Sequence, residues 1–190
     1  MTTTTKINGL DMDQFNGTVE AIKNDPTLAR FQWRAQNRWV DGSENRTTIK
    51  GFYGAGQEDT SRAEAWEFVN GEPPVLLGSN EGANPVEFLL HALAGCVTTT
   101  FVIVAASKGI TVESISTTLE GDMDLQGFLD LDANVTPGYK NIKVKMDVKA
   151  NCSDSELDEI IEYARTHSPV SQTISRPVPI TIERAAVAAA

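Results

Sequence analysis

Two cysteines, Cys96 and Cys152, and two histidines, His91 and His167, are the rarest reactive side chains in this 190-residue chain. Cys96 lies inside NPVEFLLHALAGCVTTTFVIVAASKG, residues 84–109, the longest apolar stretch of the chain. A cysteine there has two readings. It packs as a small hydrophobe, or it is a nucleophile kept dry. Apolar surroundings alone raise a thiol pKa and leave it inert, whereas a nearby guanidinium lowers it. Thiol chemistry at Cys96 therefore requires an arginine from elsewhere in the fold or from a second chain. Two cysteines do not make a disulfide framework, and two histidines outside any Cys or His cluster offer no metal-ligand spacing. No metal or cofactor is expected.

The helix that holds Cys96 is legible. Asn84 suits an N-cap, Pro85 the first helical position and Gly109 a C-terminal stop, so the pattern predicts a helix to about Lys108. At about 100° per residue, Leu89, Ala92, Leu93, Thr99, Thr100 and Ile103 share the face of Cys96, while Glu87 and His91 point the other way. The apolar residues run around most of this helix, so it must be covered on several sides, between two sheets or in a dimer. Its length raises the question of a membrane span, but Glu87, His91, Lys108 and three consecutive threonines favour a core helix and no membrane.

Around it, ARFQWRAQNRWV, RTTIKGFY and AEAWEFV predict three antiparallel strands. TVESISTTLEGDMDL and YKNIKVKMDVKAN predict two more, joined by a loop. Ser153 and Glu156 form a capping box ahead of a helix over about 154–166, and PVPITIE predicts a last strand. The order βββ-α-ββ-α-β is an α+β fold with antiparallel sheets. Residues 1–28 read as an N-terminal extension, disordered over 1–10 and then forming a short surface helix. Residues 29–184 read as one domain and 185–190 as a disordered tail. The net charge of −10 argues against nucleic acid as partner. MTTTTKINGLDMDQ has no charged start followed by an apolar run, which makes the cytoplasm the expected compartment.

NPVEFLLHALAGC at 84–96, a second helix ending HSPVSQTI at 167–174 and the final PVPITIE together resemble the OsmC/Ohr family of stress-induced hydroperoxide reductases. The resemblance implies an intertwined homodimer with the cysteine helices buried between sheets. It also implies a peroxidatic cysteine, matched by Cys96, acting on a small-molecule organic hydroperoxide with an external thiol or dithiol as reductant, in defence against oxidative stress. The family's resolving cysteine precedes Pro-Val in the second helix, and here that position is Ser168. Its acidic residue stands ten positions before the cysteine, where this chain has Val86, with Glu87 next to it as the candidate for that catalytic role or for a structural one, bonded to His91 or to the partner chain. The family's thiolate-stabilising arginine comes from an early strand. Arg34, Arg38, Arg46 and Arg62 are the candidates, and Arg38, beside Trp39, is the choice. The alternative is a catalytically weak or silent relative that binds an apolar small molecule at the dimer interface.

Overall fold

A computed structural model describes residues 6–176 and 178–185 of the chain. Asn8 and Gly9 sit at φ of 52° and 80°, the left-handed region these two residue types tolerate best. They turn a short antiparallel ribbon of β1 (Lys6–Ile7) and β2 (Leu10–Asp11). The disorder expected of residues 1–10 is therefore corrected for 6–10, while 1–5 lie outside the described residues. Asn8 Nδ2 donates to the Ile110 carbonyl at 3.0 Å, and Asn8 Oδ1 accepts the Val112 N–H at 2.9 Å. These partners are more than a hundred positions away, beyond any local signal. The Asp11 side chain then caps α1 (Met12–Asn24), which is largely exposed but buries Met12.

Five strands follow rather than the expected three: β3 (Gln36–Asp41), β4 (Glu44–Ile49), β5 (Phe52–Gly54), β6 (Gln57–Asp59) and β7 (Trp66–Asn70). The middle strand breaks at Lys50-Gly51, and Ala55-Gly56, at φ of 49° and 82°, closes β5 and β6 into a separate hairpin. Two consecutive positive φ values match the strand twist of such a two-residue turn. β3, β4 and β7 form an antiparallel sheet in that order. Register aligns Arg38, Arg46 and Val69 on one face and Asn37, Thr47 and Phe68 on the other. One face consequently carries the ion pairs of Arg38 and Arg46 with Glu44 and Glu67, and the other carries Trp39, Trp66 and Phe68.

The helix α2 spans Pro85–Ser107, and Gly109, at φ 75°, turns the chain away from it. The long hairpin of β8 (Val112–Asp122) and β9 (Asn141–Ala150) packs under α2, with the short α3 (Leu125–Phe128) in its connection. In β9, Ile142, Val144, Met146 and Val148 are half-buried while Lys143, Lys145, Asp147 and Lys149 alternate into solvent. α4 (Asp154–His167), started by the predicted Ser153–Glu156 capping box, and α5 (Pro169–Ser175) also pack against α2. The core is Phe101, Ala105, Ile110, Ile160 and Ala164.

The expected last strand is corrected. Residues 178–185 pair with nothing among the described residues, and Pro177 lies outside them. Val178, Ile180 and Ile182 are 52, 83 and 91% exposed. Their alternation suits a strand, but in one chain they join none of the edges that β3, β7, β8 and β9 leave open. The fold is α+β with antiparallel sheets.

Candidate active site around Cys96

The start of α2 is built by reciprocal bonds. Asn84 Oδ1 accepts the Val86 N–H at 2.8 Å, and Glu87 Oε2 accepts the Asn84 N–H at 2.9 Å, a capping box that satisfies two of the helix's free donors. Asn84 Nδ2 also donates to the Glu72 carboxylate, and the Tyr139 hydroxyl donates to the Val86 carbonyl at 2.9 Å. Burial, reinforced by the negative charge of Glu87, pushes the Tyr139 phenol up. Glu87 thus holds the helix end. His91 stands edge-on to Phe88, with ring centroids 6.3 Å apart.

Further along α2, Leu93, Val97 and Phe101 point into the protein, and Cys96 sits half-buried beside them. The Thr100 hydroxyl donates to the Cys96 carbonyl at 2.8 Å. Leu93 and Val97, flanking Cys96 along the helix, line a cavity of about 500 Å³ closed by Ile142, Val144 and Met146 of β9, Ile161 and Arg165 of α4, and Ile174 of α5. On the other side of Cys96, Leu89, Ala92 and Thr99 are exposed. Cys96 thus lies in sequence between two residues that line the cavity, without lining it itself, and beside an open stripe of its own helix.

Ser168 joins α4 to α5. It is fully buried, its N–H donates to the Ala164 carbonyl at 3.0 Å, and its Oγ accepts the Ser171 N–H at 3.3 Å as the cap of α5. Cys152 is half-buried against the core at the opposite end of α4. The 14 residues of that helix, at about 1.5 Å each, separate the two ends by about 21 Å.

None of the four candidate arginines bonds to α2 among the described residues. Arg38 is exposed on the charged sheet face, 3.7 Å from Glu67. Arg34 is held by Glu58 at 2.7 Å, and that bond raises its pKa and lowers that of Glu58. Arg46 bonds Glu44 and Glu67, both of which raise its pKa. Arg62 donates to the Lys50 carbonyl at 2.9 Å and lies over the Trp66 ring, 4.5 Å from its centroid. The structure thus packs α5, which begins after Ser168, on α2, the helix of Cys96, and brings none of the four candidate guanidinium groups to α2 within one chain, while Arg165, on the cavity wall, is paired with Glu162 at 2.6 Å. Sequence reasoning missed the Asn84–Glu87 box, although the three-residue spacing announces it. It missed the Arg62–Trp66 stack, for which no local signal exists. Among the described residues, no group of three His, Cys, Asp or Glu side chains is placed to hold a metal ion.

No curated protein sequence matches the chain. Among solved structures, an OsmC-like protein from Mycoplasma pneumoniae superimposes with a TM-score of 0.59 at 16% identity, covering 76% of this chain and 87% of the other. An OsmC-like protein of unknown function from Vibrio cholerae gives 0.54 at 12% identity, with 75% and 92% covered. An organic hydroperoxide resistance protein from Legionella pneumophila gives 0.52 at 17% identity, with 75% and 88% covered. These identities speak for the fold alone. The sequence pattern of OsmC-like proteins, however, matches residues 78–183, more than half of the chain and the whole run from the loop before α2 through α5, and on that ground the chain belongs to the OsmC-like protein family.

Proposed function

We propose that this protein is a cytoplasmic, thiol-dependent peroxidase that reduces organic hydroperoxides through Cys96. The observation that carries the reading is the position of Cys96, half-buried between Leu93 and Val97, which line a cavity of about 500 Å³, and beside the open stripe of α2. In this reading an apolar substrate tail lies along the cavity beside Leu93 and Val97, and its peroxide end extends past them to the sulfur. The Cys96 thiolate attacks one peroxide oxygen, the O–O bond breaks, and the other oxygen leaves as an alcohol after taking a proton. The sulfur is left as a sulfenic acid. An external thiol condenses with it, releasing water, and a second thiol reduces the mixed disulfide.

The active form in this reading is a homodimer. α2 is apolar on nearly all sides, yet Leu89, Ala92 and Thr99 face solvent in one chain, and so do Ile180 and Ile182. A second copy covering the open stripe also supplies the missing guanidinium. Arg38 is the proposed donor, being exposed and held only loosely by Glu67 at 3.7 Å. The description of the Legionella neighbour as an organic hydroperoxide resistance protein agrees with this chemistry.

A second reading, binding of an apolar molecule without turnover, draws on Ser168. That residue lacks a thiol and already serves as the cap of α5. Consumption of cumene hydroperoxide in the presence of dithiothreitol separates the two readings. Turnover by the wild type that is lost in Cys96→Ser supports the peroxidase, and equal, slow consumption by both proteins supports ligand binding.

A further inference from the structure

The cavity beside Leu93 and Val97 has on β9 a wall made of the inward row Ile142, Val144 and Met146, and Tyr139 extends that lining ahead of the strand. On α2 the lining begins at Leu93, whereas the Tyr139 hydroxyl reaches about two turns further back, to the Val86 carbonyl. Tyr139 therefore bridges from β9 to the start of α2, at the end of the cavity nearer the helix N-terminus.

The ring is fixed at both edges. Its hydroxyl donates to Val86 at 2.9 Å, and a Cβ on Gly121 would come within 2.6 Å of it, so glycine in β8 leaves room that any side chain would take. The walls belong to α2, β9, α4 and α5 of one chain, and a second copy laid on the open stripe of α2 leaves them in place. The cations on the cavity rim are already matched, Lys140 by Asp124 at 2.9 Å and Arg165 by Glu162 at 2.6 Å, so the lining offers no spare positive charge to a tail.

We propose that Tyr139 determines the specificity of this site, as the end stop that limits the length of an unbranched, uncharged alkyl tail whose reactive end lies at Cys96. The position of that end is the one assigned in the peroxidase reading, on which this assignment rests. The ten residues from Val86 to Cys96, at about 1.5 Å each, limit the extended tail to about 15 Å. Each methylene taken into the cavity strengthens binding about fourfold, and one left outside adds nothing.

The test measures binding of primary alcohols, the products of the proposed reaction, to the full-length wild-type protein by calorimetry, so it needs no turnover. The series runs from butanol to tetradecanol, each below its solubility limit. Affinity is expected to rise about fourfold per methylene and then to level off. Tyr139→Phe, which keeps the ring and loses the bond to Val86, keeps the levelling point, while Tyr139→Ala moves it to longer alcohols. If the alanine variant does not fold, Tyr139→Leu moves it in the same direction by less. A levelling point that stays in the variants without the ring, one that moves in Tyr139→Phe, affinity that never levels off in the wild type, or no binding of any alcohol would each overturn the proposal. The two readings fail separately. Absent hydroperoxide turnover with the levelling behaviour intact removes the peroxidase, and Cys96-dependent turnover with the levelling point unmoved in Tyr139→Ala removes the end stop.

Discussion

Arg38 and Phe68 lie on opposite faces of one three-stranded sheet, and Phe68 is turned to α2, its ring 6.2 Å from that of Phe88 in an edge-on contact. Arg38 is therefore turned away from the α2 of its own chain. If it serves Cys96, it does so across a dimer. Co-expressed Cys96→Ser and Arg38→Ala chains should then recover peroxidase activity that neither has alone, because the mixed dimer holds one site with both groups. No recovery would move the role to Arg34, Arg46 or Arg62.

Oxidised Cys96 should persist as a sulfenic acid. Ser168 has no thiol and Cys152 lies beyond the length of α4, whereas a disulfide needs Cα atoms within about 7 Å. After one equivalent of hydroperoxide, intact mass should show one added oxygen on Cys96, and excess oxidant should drive it to the sulfinic acid. Ser168→Cys should form a disulfide with Cys96 under the same conditions and resist over-oxidation. A Cys96–Cys152 disulfide in the wild type would refute the separation argued here.

Glu87 should matter for stability rather than rate. Glutamine can take the same place in a capping box, so Glu87→Gln should leave the rate of Cys96 oxidation unchanged. Asn84→Ala, which removes the cap itself, should destabilise the protein by about 1 kcal/mol in urea unfolding. A large loss of rate in Glu87→Gln with unchanged stability would instead give the carboxylate a chemical role.

The Ser153–Glu156 box should make the start of α4 sensitive to acid. The N–H and hydroxyl of Ser153 hold the Glu156 carboxyl below its ordinary value of 4.5. A group whose pKa is lower in the folded state stabilises fully above its unfolded pKa and loses that contribution as the pH falls through the folded value. Wild type should thus exceed Glu156→Gln in stability at pH 7, with the gap closing below pH 4.5, as read from urea midpoints across pH. A gap that persists at pH 2 would show that the carboxylate charge contributes nothing.

Much of the fold is local and was legible without coordinates. The start of α2 at Asn84-Pro85, its stop at Gly109, the alternation of β8 and β9 and the Ser153–Glu156 box all depend on partners within a few residues, or on a repeat that runs along a single element. The apolar run around Cys96 likewise announced a helix in need of cover. Family membership followed from the same segments, because they carry the motif.

What only the tertiary structure decided depends on register and on distant partners. Asn8 is ordered by Ile110 and Val112, the middle strand breaks at Lys50-Gly51, and residues 178–185 pair with no strand among the described residues. Whether an arginine on a strand faces α2 or solvent reverses with a one-residue shift in register. Arg38, chosen in sequence as a partner for Cys96, lies on the charged face of its sheet, turned away from the α2 of its own chain. Arg62, which precedes β7 with no pattern around it, gained its place over Trp66 because the chain folds back to the carbonyl of Lys50. Side-chain type and spacing determine which elements form. Which faces meet is settled by long-range packing, whose partners a linear pattern does not encode.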